Sequence, residues 1–229
     1  MGLEEPAPAA RIARPASTTR NLVVTIGRQY GSGGREVGER LAQLLGVEYY
    51  DKKLVQRAAE ESGFCTTAFE QQNEGSARGL GWLLSYASHG AVTTPGDMPL
   101  DDQLFVAQSK VIKNVALQGS CVVVGRCADY VLEDLHDRVD VVDIFVHAAD
   151  EARVRRVARR NGLDEAAARA RIAQIQPRRQ RYYERYTGRK WGDLHNFDIV
   201  MNTVKIDDAV DAARIIVEYL VACGLAQRL

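Results

Sequence analysis

Over Arg28-Gln29-Tyr30-Gly31-Ser32-Gly33-Gly34-Arg35 the chain sets three glycines and a serine between two arginines. Glycine lets backbone approach an anion with no Cβ in the way, and hydroxyl and guanidinium groups are donors suited to phosphate oxygens. The chemistry implied is the holding of a phosphorylated ligand. The segment departs from the phosphate-loop pattern G-x-x-x-x-G-K-[ST]. With Gly33 as the second glycine, Arg28 falls on the first glycine, Gly34 on the lysine and Arg35 on the hydroxyl residue. Starting from Gly27 puts Ser32 on the second glycine, so that register fails too.

The elements around this segment are those that would present it. Leu22-Val23-Val24-Thr25-Ile26 is an apolar, β-branched run leading into the glycines, and Val37, Leu41, Leu44 and Leu45 follow at helical spacing. Strand, glycine turn and helix together offer backbone N–H groups and a helix N-terminus to an anion. Further strands are expected at Val47–Asp51, Cys121–Gly125, Val141–Val146 and Phe197–Met201, with helices from Lys52 to Glu61, Asp101 to Gln118, Asp150 to about Arg160, after Asp164, and Asp207 to Cys223. Asp150 and Asp164 read as helix caps. Gly63 to Pro99, broken by glycines and prolines, reads as a mobile insertion or lid, and residues 1–20, rich in Ala, Pro and Arg, as a disordered tail. Strands alternating with helices argue for a parallel α/β sheet, with ligands at the carboxyl ends of its strands. Gly31 to Arg35, Asp51, Arg126 and Asn202-Thr203 all fall at such ends.

Composition narrows the classes. Basic and acidic residues each number 30 among 229, so overall charge points to no polyanionic partner. Arginines concentrate between Arg153 and Arg189. The four cysteines are scattered without a C-x-x-C pair, and His89, His136, His147 and His195 are isolated, so a reduced cytoplasmic protein without a protein-bound metal is expected. No apolar run approaches a membrane span, and no signal-peptide core stands at the amino terminus.

Four segments together resemble the cytidylate-kinase-like family, a branch of the P-loop nucleoside monophosphate kinases. They are Ile26 to Arg35, Tyr49-Tyr50-Asp51-Lys52, Val122 to Tyr130 with its Gly125-Arg126 pair, and Tyr182 to Asp193 followed by Met201-Asn202-Thr203. The resemblance implies a P-loop NTPase three-layer αβα sandwich over residues 21–229 with a five-stranded parallel sheet. It also implies a monophosphate-binding insertion at about 52–118 and an arginine-rich lid at about 150–192. The implied reaction moves the γ-phosphoryl of ATP to a nucleoside monophosphate, CMP or dCMP first, with Mg²⁺ carried on the ATP phosphates. Gly31, Ser32, Gly33 and Gly34 would cradle those phosphates, and Arg35 would supply charge in place of the lysine. Arg126 would meet the acceptor phosphate, Asp51 or Asp129 its sugar or base, and Arg178, Arg179 and Arg181 the transferring group.

Three positions depart from cytidylate kinases proper: Gly34 stands for the lysine, Cys127 for the aspartate after the Gly-Arg pair, and Gln176 for the aspartate before the lid arginines. Bland readings stand beside the functional ones. Asp51 would equally cap the helix from Lys52, most arginines from 153 to 160 would form a solvated face, and Tyr182, Tyr183, Tyr186 and Trp191 would pack the lid on the core. A nucleotide-binding regulator without turnover, and more distantly a nucleic-acid-binding protein, are the competing classes. A homo-oligomer is compatible with the sequence.

Overall fold

The computed structural model describes residues 12–15, 18–55, 100–206 and 208–228. In chain order its elements are β1 (Ile12–Ala13), β2 (Leu22–Arg28), α1 (Gly34–Leu45), β3 (Glu48–Tyr50), α2 (Leu100–Gln118), β4 (Cys121–Val124) and α3 (Ala128–Val131). There follow β5 (Asp140–His147), α4 (Asp150–Asn161), α5 (Glu165–Thr187), β6 (Ile199–Asn202), α6 (Ala209–Ala222) and β7 (Gln227–Arg228).

Five strands form one parallel sheet in the order β3-β4-β2-β5-β6, which places β2 at the centre. A central strand is covered on both faces, and this is why Leu22 to Ile26 contains no exposed residue. Side chains alternate between the faces. Leu22, Val24 and Ile26 pack with Val37 and Leu41 of α1 and Ile216 and Leu220 of α6. Val23 packs on the other face with Val111 and Ile112 of α2 and Val131 of α3. The result is a three-layer αβα sandwich.

The carboxyl ends of β2, β4 and β5 lead into the glycine loop, the Gly125-Arg126-Cys127 turn and α4, so these three segments share one edge of the sheet. Asp164 caps α5 by accepting the Ala167 N–H at 2.7 Å. Asp150 is not a cap: Ala149 takes that position, and the Asp150 carboxylate pairs with Arg153, one turn on, at 2.9 Å. Residues 12–14 also depart from the expected disordered tail. Ile12 and Ala13 pair antiparallel with Arg228 and Gln227, while Arg14 donates to the Leu225 carbonyl and to Asp140. The expected insertion from Gly63 to Pro99 lies outside the described residues, as does the helix expected after Lys52 beyond the turn at 52–55.

Candidate active site

The glycine loop is shaped by its carbonyls. Arg153 of α4 donates to the Tyr30 carbonyl at 2.9 Å, Arg156 to the Gly31 carbonyl at 3.0 Å, and the Thr203 hydroxyl to the Ser32 carbonyl at 2.7 Å. A trans peptide points its N–H opposite its C=O, so the loop N–H groups following these carbonyls turn to the other side. Gly33, at φ 87°, adopts a left-handed conformation that opens α1 without a side-chain cap. The first-turn amides of α1 are thereby left for an anion. Ser32 differs from the other loop residues. It is buried, and both its N–H and its hydroxyl face the Gln29 carbonyl, so it holds the turn. Gly31, Gly33 and Gly34 line a cavity of about 310 Å³ with Arg28, Arg35, Lys52, Arg156 and Arg179.

Beside it lies a second cavity of about 410 Å³, lined by Arg28, Lys52, Arg126, Arg178, Arg179, Tyr182 and Trp191 among others. Its wall includes the turn Gly125-Arg126-Cys127, in which all three residues have positive φ, at 81°, 63° and 57°. Left-handed backbone costs a non-glycine residue roughly 1–2 kcal/mol, and here it aims Arg126 along the cavity while Cys127 enters the core. The Arg126 guanidinium lies over the Tyr182 ring at 4.9 Å, and its buried Nε has no hydrogen-bond partner among the described residues.

Three residues line both cavities: Arg28, Lys52 and Arg179. All three are cations. Burial, then the charges of Arg179 and Arg126, push Arg28 down to about 9. Partial burial and the charges of Arg126, Arg179 and Arg28 also lower the Lys52 ammonium. Cations crowded enough to depress one another form a site that favours polyanions.

Helix α5 grips the loop directly. Gln176 accepts the Tyr30 N–H at 2.9 Å, and Arg179 donates to the Arg28 carbonyl at 3.4 Å while its guanidinium sits 5.1 Å from the Tyr30 ring centre. Val154, Val157 and Ala168 close a small apolar cluster against Tyr30 and Ile172, joining α4 and α5 to the same loop.

Not every residue expected at the site serves it in the expected way. Arg35 lines the glycine cavity, but its charge is met by Glu39 at 3.1 Å and Asp51 at 3.3 Å, which leaves it a poor stand-in for a phosphate-binding lysine. Asp51 accepts the N–H groups of Lys53 and Leu54 at 2.9 and 3.1 Å, the geometry of a helix cap. Asp129 lines the larger cavity, yet the Tyr183 hydroxyl donates to it at 2.5 Å, and burial holds its carboxyl above the usual range. Arg178 lines the larger cavity, whereas Arg181 lies in an outer groove with Asp101 and Arg185 and reaches neither cavity. Burial pushes the Cys127 thiol up to about 12, so it is no nucleophile near neutrality.

The residues given no site role at sequence level are Lys52, Arg153, Arg156 and Gln176, while Arg28 enters there only as a charge flanking the loop. Arg153 and Arg156 belong to a helix read as mostly a solvated face, and only the docking of α4 on the loop distinguishes them. Tyr186 and Trp191 pack on the core: Tyr186 stacks on Phe105 at 4.2 Å, and Trp191 meets Phe145 edge-on at 5.4 Å. Among the described residues no group of three His, Cys, Asp or Glu could hold a metal, and no helix is long and apolar enough to cross a membrane.

A parallel sheet in this order, with an uncapped glycine loop between its first strand and first helix, defines an α/β protein of the P-loop NTPase fold. The chain belongs to the cytidylate kinase-like family, whose sequence profile matches residues 23–205. It is 28% identical over 189 residues to a cytidylate kinase of Methanopyrus kandleri, covering 80% of this chain and 85% of that one. An uncharacterized protein from Eubacterium ventriosum has a similar structure, with a TM-score of 0.64 at 24% identity over 88% of this chain and 99% of that one.

Proposed function

We propose that this protein is a nucleoside monophosphate kinase that moves the γ-phosphoryl of ATP to a pyrimidine nucleoside monophosphate, CMP or dCMP. The observation that carries the proposal is the pair of adjoining cavities whose common lining is Arg28, Lys52 and Arg179. A donor triphosphate on the glycine loop and an acceptor phosphate beside Arg126 would meet at that lining. Family membership and the Methanopyrus kandleri relative support the same reaction class.

Phosphoryl transfer asks the protein for positioning and for positive charge. The loop amides and the start of α1 would hold the β- and γ-phosphates. Arg126 would hold the acceptor phosphate, and Arg178 and Arg179 of α5 would close over the group in flight. The acceptor phosphate, with a second pKa of about 6, supplies its own anionic oxygen near neutrality, so no general base is required. Mg²⁺ would arrive on ATP, held mainly by phosphate oxygens and water, and would neutralise charge on the donor.

ADP formation from Mg-ATP, measured against CMP, dCMP, UMP, AMP and GMP, tests the proposal. Turnover confined to CMP or dCMP is the expected result. The pairing of Arg35 with two carboxylates and the glycine at 34 favour one second reading, a nucleotide-binding regulator of the same fold. ATP binding without turnover on any acceptor would establish it.

A further inference from the structure

Where a phosphate-binding lysine would begin, at residue 34, the structure leaves no room for a side chain. A Cβ on Gly34 would stand 2.7 Å from the Cβ of Arg28 and 3.2 Å from its Cγ. The Arg28 side chain crosses in front of the first turn of α1 and continues to the turn after β4. There a Cβ on Gly125 would overlap the Arg28 Nη1. Two glycines from distant parts of the chain thus clear one path, and a guanidinium fills it.

We propose that Arg28 is a catalytic residue, the cation that meets the transferring γ-phosphoryl group in place of the lysine missing at position 34. This rests on the kinase reading above. Three observations converge on Arg28. Its side chain runs through the space a residue-34 side chain would need, it lines both cavities, and no carboxylate among the described residues forms an ion pair with it. Arg35, the other arginine of the loop, is paired with two carboxylates. The depressed Arg28 pKa agrees with a charge held in reserve for an anion.

In the step itself an acceptor phosphate oxygen forms a bond to the γ-phosphorus as the bond from that phosphorus to the β–γ bridging oxygen breaks. The electron pair leaves on ADP. Arg28, from the boundary between the cavities, would face the non-bridging oxygens throughout and could donate two parallel hydrogen bonds, which a lysine cannot.

Calorimetric titration of the full chain with Mg-ATP and Mg-ADP, wild type against Arg28→Met, tests this together with steady-state turnover. Methionine keeps an unbranched apolar stem without the charge. The expected result is a loss of ATP affinity of about tenfold or more, with ADP affinity changed less than about threefold, and a fall in kcat of roughly 10²–10³-fold. Equal loss for ATP and ADP would make Arg28 a structural residue, and unchanged ATP affinity would overturn the proposal outright. If Arg28→Met does not fold, Gly125→Ala displaces the guanidinium while leaving Arg28 in the chain, and a retained preference for ATP over ADP there would overturn it. A wild type that prefers ATP over ADP but phosphorylates no monophosphate would end the kinase reading and leave the binding test of Arg28 standing. A wild type indifferent to the γ-phosphate would end both.

Discussion

The side-chain oxygen of Gln176, in the middle of α5, accepts the backbone N–H of Tyr30 at 2.9 Å, so this helix holds the glycine loop by a backbone amide of the loop itself. The bond sits one residue before Pro177, which cannot donate into its own helix. Gln176→Leu leaves the Tyr30 N–H without its partner and loosens the loop. A net loss of about 1 kcal/mol for such a bond corresponds to roughly a fivefold weaker ATP affinity. Calorimetry with ATP and with the acceptor should show the loss for ATP alone.

Gly34→Ala adds a methyl group 2.7 Å from the Arg28 Cβ and 3.2 Å from the Val146 Cβ. Neither neighbour is the free end of a flexible chain, so the strain cannot be relieved by a rotamer change. Overpacking of this kind costs roughly 1–3 kcal/mol. A lower melting temperature is expected, and an unchanged one would mean that α1 can slide on the sheet.

Tyr183→Phe removes the donor at 2.5 Å from the Asp129 carboxylate. Burial already raises Asp129, and the tyrosine hydrogen bond opposes that rise most, ahead of the backbone N–H groups of Asp129 and Tyr130 and the Arg189 charge. Without it the folded-state pKa climbs further above the unfolded value, so the stability lost as pH rises through the folded pKa increases. The variant should therefore be more destabilised at pH 8 than at pH 5 in urea unfolding.

Asp143 offers a cleaner pH test. Burial pushes its carboxyl up to about 7, against the opposing hydrogen bond from Thr25. Exposed in the unfolded chain, it would ionise near pH ~4. The folded state therefore holds the proton more tightly, and the associated stability is complete below about pH 4 and is lost as pH rises to about 7. Asp143→Asn cannot ionise and still offers Thr25 an acceptor. It should melt higher than wild type at pH 8 by at least about 2 °C, the shift that ~1 kcal/mol produces in a chain of this size, with the gap closing toward pH 4.

What the sequence revealed depended on whether the signal was local. The strands at Leu22, Cys121 and Val141 were legible because burial on both faces demands continuous apolar runs. The glycine loop and the Arg126 turn were legible because backbone shape constrains residue type nearby. Arg28 was legible only as a flanking charge, because the path of its side chain rests on space left by Gly125, almost a hundred positions away. Arg35 looked the better phosphate ligand until Asp51 and Glu39 were seen to hold it. The β1 strand escaped notice because two residues carry no period, and their ladder partners lie at the other end of the chain.

That ladder brings two segments more than two hundred residues apart side by side. Ile12 faces Arg228 across a strand pair, a separation of about 5 Å between backbones. Arg14 ties the junction to Asp140 at the amino end of β5, while the phosphate loops stand at the carboxyl end of the sheet. An eight-residue strand separates the two, roughly 25 Å at the usual rise per residue. A circularly permuted protein, or a partner spliced in at this seam, would leave the glycine loop and the Arg126 turn undisturbed.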